Sequence, residues 1–132
     1  MLQLINTSTV ALAAGDTLSA GVDFNTNPAM LGYDAGTGEI IFLQPGIYKV
    51  FAQAVFAATA AGLVSIEAFN GTGAVPGMIS QIETTAATQE ETFVIQKNLR
   101  IAAFPGAFAR LRFEVDVAGV MTNLVISVEK IR

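Results

Sequence analysis

The residues able to do chemistry in this chain are carboxylates. Glu67, Glu83, Glu90, Glu91, Glu114 and Asp116 could be written as an acid/base pair or as a calcium cluster. The chain has no His and no Cys. That removes the usual zinc ligand sets, the Cys and Ser-His nucleophile pairs and the commonest general base. The plainer reading outweighs a site: Glu90-Glu91 is solvated in a polar connection, and Glu114 and Asp116 occupy the polar face of a strand. No catalytic residue, metal ligand or cofactor is therefore expected. Gly71-x-Gly73 is too short for a phosphate loop and opens no helix, so it reads as turn chemistry. Arg110 and Arg112 beside Glu114 read as salt-bridge partners, across strands or between subunits, ahead of an anion site. Asn70-Gly71-Thr72 and Asn6-Thr7-Ser8 match the glycosylation sequon, which without an export signal is coincidence.

The elements that hold these residues are strands. Tyr33 to Phe51 contains a turn at Asp34-Ala35-Gly36-Thr37-Gly38, the apolar run Ile40-Ile41-Phe42, a second turn at Pro45-Gly46 and the run Ile47 to Phe51. Turn-forming residues alternating with β-branched and aromatic ones make a corner of an antiparallel sheet. The longest strand runs from Ile47 to Ala58. Its Tyr48, Val50, Ala52, Ala54 and Phe56 share one face, and Ile47, Lys49, Phe51, Gln53 and Val55 the other. Both faces are largely apolar, as in a central strand buried on two sides.

Shorter pieces are expected at Leu2 to Ile5, Val10 to Leu12, Leu18 to Phe24, Ala29 to Tyr33 and Glu39 to Leu43. Leu63 to Phe69 reads as a half-exposed strand ended by Asn70-Gly71-Thr72-Gly73, and Met78 to Ile82 follows Pro76-Gly77. Thr84 to Glu91 is a polar connection. Thr92 to Ala103 is extended until Phe104-Pro105-Gly106 turns it. Ala109, Leu111, Phe113, Val115 and Val117 alternate with Arg110, Arg112, Glu114 and Asp116, the cleanest period-2 signal in the chain. Ala118 to Asn123 is the last loop and Leu124 to Ile131 the closing strand. Helical spacing is nowhere convincing, and eight to ten short strands at regular spacing mean a sandwich or jelly roll.

At 132 residues the chain makes a single domain, 1–132. The Met1 start without cysteine reads as a small complete reading frame made without disulfides. Met1 to Leu18 has no Lys or Arg, so no signal peptide is expected and synthesis is cytoplasmic. No apolar run approaches the roughly 20 residues of a membrane helix. A net charge of −4 disfavours nucleic acid. Hydrophobic residues make up 52% and charged ones 14%, with a mean hydropathy of +0.55. Ordinary domains carry about 25% charged residues. Too few charges remain to cover both outer faces of a sandwich, so one outer face must be buried against copies of the same chain.

The run Tyr33-Asp34-Ala35-Gly36-Thr37-Gly38-Glu39-Ile40, followed by Pro45-Gly46-Ile47-Tyr48-Lys49-Val50, resembles the core signature of the complement C1q/tumour necrosis factor-like jelly rolls. In that signature an aromatic-Asp-x-x-Thr-Gly segment leads through a strand to Gly-x-Tyr. Ala14-Gly15-Asp16 and Phe24-Asn25-Thr26-Asn27 resemble the bacterial members, including exosporium-type collagen-tip domains, which points to a bacterial or bacteriophage branch. Three features depart from the pattern. Phe104-Pro105-Gly106 stands where a Gly-Asp turn is common, the last strand lacks its aromatics, and no Gly-X-Y stalk precedes the domain. The resemblance implies an all-β antiparallel jelly roll of about ten strands assembling as a compact homotrimer.

Two functions fit. The first is a non-enzymatic structural or display module of a virion or other large particle, such as a bacteriophage head-decoration or fibre-tip protein, with a capsid, fibre or surface protein as partner. The second is a receptor- or carbohydrate-binding module of a bacterial surface or spore layer, whose loop tips hold a glycan. An enzyme of the cupin sort lacks its metal ligands. Alternate connections of a jelly roll gather at its two ends, so 57–62, 84–91 and 118–123 are expected at one end and 70–77 with 104–106 at the other. The second end holds the candidate partner contacts Asn70, Thr72, Val75, Phe104 and Pro105, which mix hydrogen-bonding groups with an apolar anchor.

Overall fold

The computed structural model describes residues 1–102 and 109–132. Among them are eleven strands and no helix: β1 (Leu2–Asn6), β2 (Val10–Leu12), β3 (Gly21–Asn25), β4 (Leu31–Asp34), β5 (Glu39–Phe42), β6 (Gly46–Ala58), β7 (Gly62–Asn70), β8 (Gly73–Thr84), β9 (Glu90–Ile101), β10 (Ala109–Val115) and β11 (Gly119–Lys130). They form two antiparallel sheets, one ordered β3-β1-β11-β6-β9 with β2 beside β11, the other β4-β5-β10-β7-β8. β1 and β2 flank the same edge of β11 in succession. Between them Asn6 Oδ1 accepts from the Ser8 backbone N–H at 2.8 Å, so the Asn6-Thr7-Ser8 sequon serves as a side-chain-capped turn.

The Pro45-Gly46 corner carries the chain from one sheet to the other, since β5 pairs with β4 and β10 while β6 pairs with β11 and β9. Gly46 has φ 153°, and a Cβ there would strike the Arg132 carbonyl oxygen and lie 2.7 Å from Lys130 Cε. Only glycine fits such a corner. Gly119 is needed for a different reason. It is buried at the start of β11, where a Cβ would collide with the Ala57 carbonyl and the Phe56 ring.

The core lies between the sheets. Tyr48, Val50, Ala52, Ala54 and Phe56 of β6 face it as the period-2 pattern predicts, joined by Phe93 and Ile95 of β9 and by Leu124, Ile126 and Val128 of β11. Ile40, Phe42, Val64, Ile66, Leu111, Phe113 and Val115 approach from the opposite sheet. Aromatic rings meet edge to face, Phe56 and Phe93 with centroids 6.4 Å apart. Thr84, 5% exposed, keeps its hydroxyl satisfied through the Gly62 N–H and C=O at 3.2 and 3.3 Å.

Four expectations need correction. The connection placed at residues 70–77 is a two-residue turn, and β8 already starts at Gly73. Its Pro76-Gly77 falls where the β7–β8 register shifts, with Gly77 at φ 78°, so this pair bends a strand and ends no loop. The loop placed at Ala118 to Asn123 is the first half of β11, with a register shift between Met121 and Asn123. Glu90 and Glu91 open β9 and are not part of the connection before it. Finally, the second face of β6 is not buried within one chain: Ile47, Phe51 and Val55 are half-buried, and Lys49 and Gln53 are exposed.

Candidate functional site

The two outer faces of the sandwich differ in charge. On the sheet containing β6, cross-strand register aligns Ile5, Val125, Gln53 and Val94 in one row, and Gln3, Ser127, Phe51 and Gln96 in the next, with Phe24 beside Gln3. A third row holds Asn123, Val55 and Thr92. These three rows carry no ionisable side chain. Charge returns at their limits: at Asp23 on the β3 edge, whose Oδ2 accepts from Gln3 Nε2 at 3.2 Å, at Glu129 and Lys49 on one side and at Glu90 on the other. Val94 is 47% and Phe24 40% exposed. The face is thus apolar at its centre, with neutral amides and hydroxyls between the apolar groups.

The opposite sheet carries ion pairs on its outer face, beside the exposed Leu63 and Ile79. Arg110 reaches Glu39 at 3.3 Å and Asp34 at 3.6 Å, tying β10 to β5 and β4. Arg112 Nε donates to Glu114 Oε2 at 2.6 Å, and its guanidinium sits 5.5 Å from the centroid of the Phe69 ring. Glu114 stands directly opposite Glu67 in the β10–β7 pairing, so Arg112 offsets a like-charge contact. Asp116 accepts from the Ser65 N–H at 2.8 Å while its own N–H donates to the Ser65 carbonyl at 3.1 Å, extending the ladder beyond β10. Of the six acids named at the outset, Glu114 is thereby engaged with Arg112 of its own strand and Asp116 with β7, while Arg110 ties β10 to β5 and β4. Among the described residues no three carboxylates converge as a metal ligand set.

The connections separate to the two ends of the sandwich as the strand order requires. Thr59 N–H donates to the Ala118 carbonyl at 3.0 Å and Thr88 N–H to the Ala58 carbonyl at 2.8 Å, which brings residues 57–62, 84–89 and 116–119 together. Glu90 belongs to this end and accepts from the Thr122 hydroxyl at 3.0 Å. At the other end the β7–β8 turn borders a cleft whose walls include Glu39, Val75, Leu99, Arg100 and Arg110. Asn70 and Thr72 stand at its rim, and Thr72 is exposed. Val75 is only 5% exposed, because β8 has already begun and turns it toward the core. Phe104 and Pro105 lie outside the described residues.

Two tyrosines have their phenols pushed up from the ordinary value. Burial does this at Tyr48, whose hydroxyl donates to the Gln44 carbonyl at 2.7 Å. At Tyr33 burial again dominates, partly countered by the Ala20 N–H that donates to its oxygen at 2.9 Å and reinforced by nearby Asp34. Neither borders a set of groups that could use a proton. Both serve the fold.

The neutral face is the feature that reading the sequence did not localise. Its signal was present in the outward positions of three strands, Phe51-Gln53-Val55, Thr92-Val94-Gln96 and Val125-Ser127. Only the register of the sheet sets them side by side.

No family model matches the chain, and no curated protein matches its sequence. Solved structures match its shape. Eiger TNF from S. frugiperda superimposes with a TM-score of 0.78 at 11% identity, over 99% of this chain and 91% of that one. Murine APRIL, crystallised at pH 5.0, gives 0.72 at 8% identity, over 97% and 98% of the two chains. The fold is therefore a TNF-like jelly roll, at identities that carry the fold alone.

Proposed function

We propose that this chain is a non-enzymatic structural or display module that works as a compact homotrimer, its copies packed through the neutral face of the β6 sheet. The observation that carries the reading is the contrast between the outer faces. One holds three rows without an ionisable group, and the other is crossed by ion pairs. Exposed apolar rows of this kind gain by leaving water, at about 25 cal/mol per Å², whereas the charged face is already solvated. Burial against copies of itself also answers the 14% charge content. The likeness to TNF-type folds supports the same arrangement.

In this reading the assembly is built into a larger particle, such as a bacteriophage head or fibre tip, through the end that carries Asn70, Thr72, Phe104 and Pro105, while the Glu90-Glu91 end faces solvent. Analytical ultracentrifugation at micromolar concentration tests the assembly: about three chains per particle are expected, and a well-behaved monomer overturns it. Attachment is tested separately. Phe104→Ser is expected to weaken binding to the particle with the oligomer intact, and charge reversal at Glu90 and Glu91 to matter little; the opposite ranking rejects the assignment.

A second reading is favoured by the cleft at the Asn70 end. Hydrogen-bonding groups at Asn70, Thr72, Glu39, Arg100 and Arg110 surround apolar Val75 and Leu99 there, a lining that suits a glycan. Glycan-array binding that is lost on Arg100→Ala supports this reading over the first.

A further inference from the structure

We propose that Asn70 is a site of spontaneous deamidation, with the β7–β8 turn supplying both the nucleophile and the donors that stabilise the intermediate. Asn70 is the last residue of β7 and pairs with Gly73, leaving Gly71 and Thr72 as the turn. Its side-chain oxygen Oδ1 accepts three hydrogen bonds, from the Thr72 N–H at 2.8 Å, the Thr72 hydroxyl at 2.7 Å and the Gly73 N–H at 3.1 Å. That oxygen is where negative charge develops when Cγ is attacked. Donors held at such distances act as an oxyanion hole.

The nucleophile is the backbone nitrogen of Gly71, the next atom but one along the chain from the Asn70 Cα. Hydroxide removes its proton and the nitrogen bonds to Asn70 Cγ, pushing the carbonyl electron pair onto Oδ1. The tetrahedral centre collapses by breaking the Cγ–Nδ2 bond, and Nδ2 takes a proton from water and leaves as ammonia. Water then opens the cyclic imide. Cleavage of the new Cγ–N bond gives an aspartate, and cleavage of the original peptide bond gives an isoaspartate with one more backbone carbon in the turn. One water is consumed and one ammonia released. The product carboxylate forms beside Arg112, whose Nη1 lies 3.5 Å from the Asn70 carbonyl, and at the rim of a cleft that contains Arg100 and Arg110.

The other asparagines are internal controls. Asn6 and Asn25 precede Thr, Asn98 and Asn123 precede Leu, and Asn27 precedes Pro, which has no N–H to lose. Only Asn70 is followed by glycine. A branched or missing nucleophile is poorly placed to attack.

The test is to hold the folded, full-length protein at mildly alkaline pH and map peptides by mass spectrometry with an isoaspartate assay. Conversion is expected at Asn70 ahead of the other five sites. Gly71→Ala is expected to slow it on the order of tenfold by crowding the nucleophile. This variant should fold, because Gly71 has no positive φ and nothing lies within 4 Å of an added Cβ. Its unfolding curve checks that. Thr72→Val, which removes one donor to Oδ1, is expected to slow conversion as well. Conversion no faster than at the other asparagines, an unchanged rate in Gly71→Ala, or reaction confined to urea-unfolded chains overturns the proposal.

Discussion

The rings of Phe42 and Tyr48 meet edge to face across the Pro45-Gly46 corner, with centroids 4.8 Å apart and planes at 66°. Phe42 ends β5 in one sheet and Tyr48 lies near the start of β6 in the other, so this pair pins the sheets together where the chain crosses between them. Both side chains are fully buried. Phe42→Ala is expected to cost about 3–5 kcal/mol in urea unfolding, through lost burial and the cavity left behind. Tyr48→Phe keeps the ring and loses only the bond to the Gln44 carbonyl, for about 1 kcal/mol.

Alkaline pH should expose the same residue. The fold raises the Tyr48 and Tyr33 phenols, chiefly by burial, and so favours their neutral forms. That contribution is complete while unfolded tyrosines are also neutral, below pH about 10, and is lost as pH rises through the higher native values. Urea midpoints from neutral pH upward should hold level and then fall above that point. Tyr48→Phe should show a shallower fall, and an identical slope would remove Tyr48 from the explanation.

Charge placed on the neutral face should break the assembly without unfolding the chain. Val94 is 47% exposed in the single chain, so Val94→Glu costs the monomer little and puts an unpaired charge into any contact between copies. Sedimentation should shift to monomer while the β-rich circular dichroism spectrum is unchanged. Ile79→Glu, at a 41%-exposed position on the charged sheet, is the control and should leave the particle mass alone.

Glu67 and Glu114 oppose each other in the β10–β7 pairing. Replacing Glu67 with Gln removes the repulsion and should stabilise the chain by a few tenths of a kcal/mol. Asp116→Ala should act in the other direction, leaving the Ser65 N–H without its acceptor at a cost of about 1–3 kcal/mol. Denaturant midpoints of the two variants should lie on opposite sides of the parent.

Strands with an unbroken period of two were legible in the sequence. β6 keeps Tyr48 to Phe56 on one shared face and β10 keeps Leu111 to Val115 on one, as expected, although only one face of β6 is buried within the chain. β8 and β11 were misread at their beginnings because each contains a register shift, and because Gly73, Pro76, Gly77, Gly119 and Asn123 are residues usual in loops. Pairing to β7 and β6 overrides that local preference. The same shift explains Val75, expected on a loop tip and found facing the core. Asn70 and Thr72 do stand at an end of the sandwich, since a tight turn is a local property. The neutral face is not local: Ile5, Gln53, Val94 and Val125 are far apart in the chain, and only sheet register makes them neighbours.

The proposed contact face has no ionisable group in its three central rows and carries charge only at its margins, so it supplies little steering field. Encounters between copies then proceed with little steering, at the roughly 10⁵–10⁶ M⁻¹s⁻¹ typical of uncharged partners. Added sodium chloride finds few opposing charges to screen on that face and relieves only the mutual repulsion of chains of net charge −4, so the association constant should rise slightly, and not fall, between dilute buffer and seawater-like salt. Cooling is the stronger lever, because apolar burial weakens as temperature falls. Chilled, dilute solutions are therefore where separated chains should first accumulate.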